Sequence, residues 1–297
     1  MSALRRRETV DGTACPARVY EVWVGGENAY AADLQLAAEV NQRFPLQQTA
    51  VNIVREYGTL SVSLLARGGF TQFLDLGSGF PPPSRRIGLS GGVHLSTHEI
   101  AQRVQPNAQV VYVDIDPDVV ARTCGIGARA QRRPEPVAVL ADIIQMRALM
   151  ERLDKDRLLN LRSPVAVLLH DVLPWIEGDD HVQSLMTDLR ELLPTGSAIS
   201  LSHATRGLQT PGIRQVPAVY RAHGITYRHR CLTLLRALFG AWPDARGGAR
   251  VAVAAAARYH PEHSRAMDPP YLSSAYAGIG LKPPRVGRGK IKYISSR

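Results

Sequence analysis

The sequence predicts a doubly wound α/β fold in which a mostly parallel sheet follows an N-terminal helical cap. Three observations support this prediction. Short apolar runs recur along the chain, segments with helical apolar spacing separate them, and a helical region precedes the first run. Buried strands alternating with helices are typical of a parallel sheet covered on both faces, the Rossmann-like arrangement.

The predicted strands are five short, near-continuous apolar runs, which suit strands that are buried on both faces. They are Gln72–Leu76, Gln109–Asp114, Val137–Leu140, 164–169 and 198–201. The helices predicted between these strands are Thr97–Val104, 116–131, 145–158 and 179–193. A Pro/Gly/Ser-rich stretch at 81–92 predicts a long loop in the first crossover.

Residues 33–67 have mostly helical spacing, interrupted at Pro45. We therefore expect a helical cap or lid over residues 1–67 and a Rossmann-like domain with a C-terminal extension over residues 68–297. The pattern weakens after Leu201. Residues 230–239 predict a helix, residues 251–257 fit either a strand or a helix, and the region from Pro269 gives no distinct prediction.

Composition limits the partners of this 297-residue chain. Its formal net charge of +10 comes almost entirely from arginine, which fits the codon usage of a GC-rich genome, and no basic-aromatic interleaving suggests a nucleic-acid partner. No apolar run is long enough for a membrane span or follows the N-terminus as a secretory signal, so we expect a cytoplasmic protein. Cysteine and histidine spacings predict no metal site. The oligomeric state stays open, a homodimer included.

Acids and glycines stand at three successive strand ends. The first strand runs into Asp75-Leu76-Gly77-Ser78-Gly79, and glycines there let the backbone approach a ligand closely. Asp114 follows the second strand, where it can accept hydrogen bonds from ribose hydroxyls. Asp142 follows the third, where it can accept one from an adenine amino group. Together the three acids indicate an adenosine site.

A nicotinamide dinucleotide is the competing ligand, because it binds at the same edge of such sheets. Here Gly79 is followed by Phe80 and three prolines, instead of the third glycine and immediate helix of the dinucleotide fingerprint. The sequence therefore disfavours the nicotinamide interpretation.

Several segments together carry a family resemblance. They are RVYE at 18–21, GGENAYAAD at 25–33, QFLDLGSG at 72–79, HEIAQ at 98–102, VYVDIDP at 111–117, PVAVLL at 164–169 and LSHAT at 201–205. In combination they resemble an actinobacterial family of S-adenosylmethionine (SAM)-dependent methyltransferase-like proteins with the class I methyltransferase fold.

The resemblance implies SAM as cofactor and assigns residues to its parts. Asp75, Gly77, Ser78 and Gly79 would hold the amino-acid part. Asp114, with Ile115 beside it, would hold the ribose, and Asp142 with Ile143 the adenine. The segment containing Tyr20, Gly25 and Gly26 would fold over the cofactor from the N-terminal side. Alternatively, the two glycines only end a helix.

The sequence departs from the family after the fourth strand, where it reads His170-Asp171-Val172-Leu173-Pro174-Trp175. The end of this strand lies beside the reactive sulfonium in the class I fold. We therefore expect His170 and Asp171, with Tyr20, to be the catalytic residues, and His170 also to contact the cofactor. Imidazole titrates near physiological pH, which makes His170 a candidate general base. The alternative is a structural histidine at a strand end. His203 is a second candidate of more structural character.

Three functions remain open at this level. The first is methyl transfer to a small molecule in specialised metabolism. The second is a lyase or cyclase that expels methylthioadenosine from SAM and closes the aminobutyrate part into a small ring. The third is a non-catalytic regulator that binds SAM.

Overall fold

The computed structural model describes residues 12–82, 95–127, 134–259, 269–284 and 293–294. The helices are α1 Pro16–Val24, α2 Ala31–Arg43, α3 Gln47–Arg67, α4 Thr97–Val104, α5 Pro117–Gly127, α6 Met146–Lys155, α7 Asp179–Leu192, α8 Val216–Ala222 and α9 Leu232–Leu238. The strands are β1 Gln72–Leu76, β2 Gln109–Asp114, β3 Val137–Leu140, β4 Ala166–His170, β5 Ala198–Ala204, β6 Ala254–Ala255 and β7 Ala275–Leu281.

Within the described ranges the strands form a sheet in the order β3-β2-β1-β4-β5-β7-β6. Strands β1 to β5 pair in parallel, and β7 runs antiparallel to both β5 and β6. The order reverses between β1 and β4, which creates the crevice where open α/β sheets bind ligands. The predicted doubly wound, mostly parallel sheet is confirmed.

Helices cover both faces of the sheet. Alternate residues of β1 point to opposite sides, so that Leu74 and Leu76 pack in a cluster with α6, α7 and α9, while Phe73 packs in a cluster with α3 and α4. Because neither face meets water, the strands need apolar residues at every position. This explains why their runs are nearly continuous.

The N-terminal helices divide their packing between two places. Helices α1 and α2 form a third apolar cluster with α8, centred on buried residues such as Leu36 and Tyr220. Helix α3 packs instead in the core of the sheet, through Tyr57, Val62 and Leu65. The third helix of the predicted cap therefore contributes directly to the sheet core.

Strand β7 and helix α8 are elements that the sequence did not predict. Of the two, β7 belongs to the sheet. Its sequence, AYAGIGL, is rich in alanine and glycine, which strands usually avoid. Packing explains the glycines, because a Cβ at Gly278 would lie 2.8 Å from Val251 and one at Gly280 would lie 2.9 Å from Phe239. Observed β5 also continues to Ala204, three residues beyond its predicted end.

Two further predictions extend into residues that the structure does not describe. Residues 83–92 of the predicted loop and residues 128–131 of the helix predicted between the second and third strands lie outside the described residues. Within the described ranges, none of the helices combines the length and hydrophobicity required to span a bilayer.

A buried arginine organises the segment after β4. The Arg230 guanidinium donates to the carbonyl oxygens of Leu173 (2.7 Å), Ile176 (2.9 Å) and Gly178 (3.1 Å), and it pairs with Asp179 at 3.0 Å. Its side chain is 1% exposed. Three carbonyl groups in one turn are thus satisfied by a single planar group, which fixes residues 173–178 beside the carboxyl end of β4.

We expect Arg230→Lys to lower the free energy of unfolding by roughly 2–4 kcal/mol, because an ammonium group cannot reach all of these acceptors and leaves buried carbonyls unpaired. Urea unfolding of both proteins measures the difference. Arg236→Lys, an exposed change on α9, is the matched control and should unfold with the wild type. Equal stability of all three proteins would contradict this role of Arg230.

Candidate functional site

A cavity of about 350 Å³ lies at the carboxyl ends of β1, β2, β3 and β4. This volume is within the range of small-ligand sites. Its walls also include α1 and α3. Predicted site residues that line it are Tyr20, Asp75, Gly77, Ser78, Gly79, Asp114, Ile115, Asp142, Ile143, His170 and Asp171. The fold thus brings together residues that are up to 151 positions apart, from Tyr20 to Asp171.

The loop after β1 is shaped by two glycines with left-handed backbone. Gly77 (φ 66°) packs against Val172 so closely that a Cβ would collide with that side chain. Gly79 (φ 62°) has no heavy atom within 4 Å of where its Cβ would be. The Ser78 hydroxyl is buried without a hydrogen-bond partner. The open space beside Gly79 and the unpaired Ser78 hydroxyl are both consistent with a ligand that binds against this backbone.

Asp114 and Asp142 line the part of the cavity where the sequence predicts an adenosine. One Asp114 oxygen accepts from the Gly79 amide (2.8 Å) and the other from the Asp116 amide (3.0 Å). Burial raises its pKa above the ordinary value, and these backbone donors oppose the shift. Asp142 accepts from the Ile144 amide at 2.9 Å and so begins the short helical turn Ile143–Gln145. Ile115 is 67% exposed, whereas Ile143 is buried.

Asp75 and Arg55 form a charged corner at the opposite end. The Asp75 carboxylate accepts a hydrogen bond from the Thr97 hydroxyl at 2.7 Å, and burial raises its pKa to about 6. Arg55, on α3, also lines the cavity and lies with its guanidinium 5.6 Å from the Tyr20 ring centroid. Its charge stabilises ionised Asp75. The sequence did not indicate a role for Arg55, because an arginine in an amphipathic helix usually lies on the solvent-exposed face.

The N-terminal segment reaches the cavity through Tyr20 and Cys15, but not through the glycines. Gly25 (φ 72°) ends α1, and Gly26 packs against Glu21 with no room for a Cβ. Neither glycine lines the cavity. This local geometry matches the alternative in which the pair ends a helix.

A polar cluster holds α1 against the turn after β2. The Cys15 thiol donates to Asp116 at 2.8 Å, and Arg18 bonds Asp33 at 2.9 Å while lying 3.8 Å from Asp116. Burial raises the pKa of Cys15 to about 12, so its thiol stays protonated and serves as a donor. Sequence reasoning missed Cys15 because an isolated cysteine carries no spacing signal.

His170 ends a buried hydrogen-bond chain. Tyr57 donates to the Gly278 carbonyl oxygen at 2.9 Å, so its hydroxyl can only accept from Ser200, also at 2.9 Å. Ser200 has then used its proton, and the His170 Nε2 atom 2.9 Å away must donate to it. This network assigns the proton to Nε2 and leaves a lone pair on Nδ1.

Space beside that lone pair is provided by Gly58. A Cβ at position 58 would lie 3.2 Å from Nδ1, and both residues line the cavity. Burial lowers the pKa of His170 to about 3, since the protonated imidazole would be poorly solvated. The expectation that His170 titrates near physiological pH is therefore corrected. The side chain is neutral there, so its Nδ1 atom can accept a hydrogen bond.

Asp171 is the neighbouring group whose titration lies near neutrality. Burial raises its pKa to about 7, and its one hydrogen bond comes from the Ala204 amide at 3.2 Å. Its backbone is left-handed (φ 58°), which turns the chain sharply at the end of β4. The Trp175 indole donates to its carbonyl oxygen at 2.9 Å. Trp175 thereby joins the cavity wall, a position that the sequence did not indicate.

His203 occupies a different place. It is fully buried, with Nδ1 2.7 Å from the Ala204 carbonyl oxygen and Nε2 3.2 Å from Arg230, and it does not line the cavity. Its role is structural.

Among the described residues, no group of three or more acids, histidines or cysteines is arranged to hold a metal ion.

Comparisons with known proteins identify the family and its fold. The sequence profile of a family described as S-adenosyl methyltransferase matches residues 4–283. The structure is similar to a DUF574 family protein from Streptomyces avermitilis (26% identity, TM-score 0.79), with 91% of this chain and 98% of that chain covered. A Thermobifida fusca protein described provisionally as a methyltransferase has 27% identity and a TM-score of 0.79, with 92% and 96% covered. No curated protein matches.

We expect Asp171→Asn to change how stability depends on pH. The folded pKa of Asp171 is raised to about 7, so its contribution is complete below the unfolded pKa of about 3.9 and is lost as pH rises towards 7. Asparagine does not titrate. The free energy of unfolding of the wild type should fall relative to the variant by about 1.4 kcal/mol per pH unit between pH 5 and 7.

Urea unfolding at pH 5, 6 and 7 measures this difference, and the other titrating groups cancel because both proteins contain them. Asp154→Asn, the same change at an exposed position of α6, should run parallel to the wild type. A parallel curve for Asp171→Asn as well would show that Asp171 is not a buried, destabilised acid.

Proposed function

The chain belongs to the S-adenosyl methyltransferase family, and we propose that it transfers the methyl group of SAM to a small-molecule acceptor bound beside His170 and Asp171. The observation that carries this proposal is the shared cavity. One continuous space is lined by the acids expected for the cofactor and by the polar pair at the end of β4. Cofactor and acceptor groups would therefore meet inside the same enclosure.

The described residues fit SAM along its whole length. The backbone around Gly79 and the unpartnered Ser78 hydroxyl would hold the amino-acid part, with Asp75 near its ammonium and Arg55 near its carboxylate. Asp114 would accept from the ribose, and Asp142 from the adenine. An arginine and a carboxylate at one end of the cavity match the two opposite charges of an amino acid.

When bound, SAM supplies a methyl group on a cationic sulfur. The chain must then orient the acceptor atom and receive a proton where the acceptor carries one. We assign these tasks to different residues. Neutral His170 would orient the acceptor through Nδ1, whereas Asp171, with a pKa raised to about 7, would receive the proton.

The residues around His170 and Asp171 favour a small acceptor. Tyr20 of α1, Gly58 of α3, and Trp175 and Ile176 from the segment after β4 all line this part of the cavity. An acceptor group has to fit between residues of α1, α3 and the segment after β4. This enclosure favours a compact molecule over an extended polymer.

We expect Gly79→Ala to weaken SAM binding by at least about tenfold, because the new methyl group would occupy the open space next to the cofactor site. Gly224→Ala is the matched control. Gly224 also has left-handed backbone (φ 72°) and no heavy atom within 4 Å of its Cβ position, but it does not line the cavity.

Isothermal titration with SAM and with S-adenosylhomocysteine measures binding. Both variants should lose a similar amount of stability, about 1 kcal/mol, from placing alanine in left-handed backbone. Equal SAM affinity of the two variants would contradict the placement of the cofactor beside Gly79.

Product identity tests the reaction itself. We expect purified protein with SAM to form S-adenosylhomocysteine only when a small-molecule acceptor pool is added, and we expect His170→Gln to lower kcat by about 10²-fold or more, because the acceptor loses its orientation. Mass spectrometry of the adenosine products measures both. Methylthioadenosine formed from SAM alone would instead establish the ring-forming lyase, and SAM left intact with every acceptor pool would favour a SAM-binding regulator.

A further inference from the structure

The carboxylate of Asp171 is partly buried, and the described residues provide no compensating cation. It takes part in no ion pair within the described part of the chain, and its one hydrogen bond comes from the Ala204 amide. A carboxylate that is partly removed from water normally requires a positive partner or several donors, because desolvation disfavours its charged form. The described part of the chain supplies neither, although Asp171 lines the cavity.

Asp75 and Asp114, which also line the cavity, differ in this respect. Asp75 has the Thr97 hydroxyl and the nearby charge of Arg55. Asp114 accepts from two backbone amides. Arg55 does not contribute to the titration of Asp171. A bound cation would therefore gain more beside Asp171 than beside Asp75 or Asp114.

Several aromatic side chains lie near Asp171. Trp175 is anchored to the Asp171 carbonyl oxygen through its indole N–H, and it packs against Tyr220 and Tyr227 with ring centroids 5.0 and 4.7 Å away. Tyr20 lines the same part of the cavity, and its hydroxyl interacts electrostatically with Asp171. Aromatic faces attract cations, and the attraction is stronger when the cation is bound away from water.

The backbone at this point is also specialised. Asp171 is a non-glycine residue with left-handed φ, an unfavourable conformation that aspartate and asparagine tolerate better than most other residues. This geometry lets the amide of Asp171 pair with the Ser202 carbonyl oxygen at 3.1 Å while its side chain bonds Ala204 on the same strand. The carboxylate is thus held in a fixed position by β5.

From these contacts we infer that the methyl acceptor is an amine that binds as its ammonium cation, with Asp171 as counter-ion and Tyr20 and Trp175 as aromatic walls. This inference rests on the proposed methyl transfer. The carboxylate would take one proton from the ammonium, which leaves a neutral nitrogen with a lone pair and a protonated Asp171. It would also offset the repulsion between the ammonium and the cationic sulfur of SAM.

The test uses small ammonium probes and their neutral counterparts. Phenethylamine and n-butylamine, each paired with the corresponding alcohol, are titrated at pH 7.5 into protein saturated with S-adenosylhomocysteine, and NMR measures the dissociation constants. We expect at least one amine to bind about tenfold or more tightly than its alcohol. In Asp171→Asn this preference should fall below about twofold, while Asp154→Asn should retain it.

Asp171→Asn is suited to this test because asparagine accepts left-handed backbone and can still accept the bond from Ala204. A melting curve verifies that the variant is folded. The inference is overturned if no amine binds better than its alcohol in the wild type, or if Asp171→Asn keeps the preference.

The same samples separate this inference from the proposed function. Absence of binding by both SAM and S-adenosylhomocysteine would contradict the proposed function itself. If both bind and no amine preference is found, only the acceptor class is wrong. If Asp171→Asn instead weakens SAM alone, with S-adenosylhomocysteine unaffected and no amine preference in the wild type, Asp171 pairs with the sulfonium and the inference fails.

Discussion

Leu74 in β1 pairs with Val111 of β2 on one side and with Val167 of β4 on the other, and Val113 of β2 pairs with Val139 of β3. This parallel register brings four strands to the same edge of the sheet, so the residues that follow each strand become neighbours although they are far apart in sequence. The cavity exists because the strand order reverses at this edge. Every assignment of a residue to the cofactor or to the acceptor depends on this alignment.

The hydrogen-bond chain from Gly278 through Tyr57 and Ser200 to His170 connects the sheet to the site. It joins β7, α3, β5 and β4, and the direction of each bond follows from the first carbonyl acceptor. These hydrogen bonds therefore do more than hold the four elements together. It selects one tautomer of His170 and orients the free lone pair towards the space that Gly58 leaves open.

Burial acts in opposite directions on the two adjacent residues at the end of β4. It lowers the pKa of His170 to about 3 and raises that of Asp171 to about 7, because in each case the charged form is poorly solvated. The residue that titrates near neutrality is consequently the aspartate and not the histidine. A bound cation would reverse the shift on Asp171, which couples its protonation to the ligand.

The sequence by itself predicted the five parallel strands, and it placed several acids and the pair His170 and Asp171 at their carboxyl ends. Buried parallel strands require continuous apolar runs, and the ligand edge of such a sheet lies at the carboxyl ends of its strands. It did not reveal β7, whose glycines are explained by contacts with Phe239 and Val251 from distant segments. Arg55, Cys15 and Trp175 were likewise hidden, since each looks ordinary in its local sequence. Whether Gly25 and Gly26 face the cavity, and whether His170 is charged, depended on burial and on partners distant in sequence, which only the tertiary structure decides.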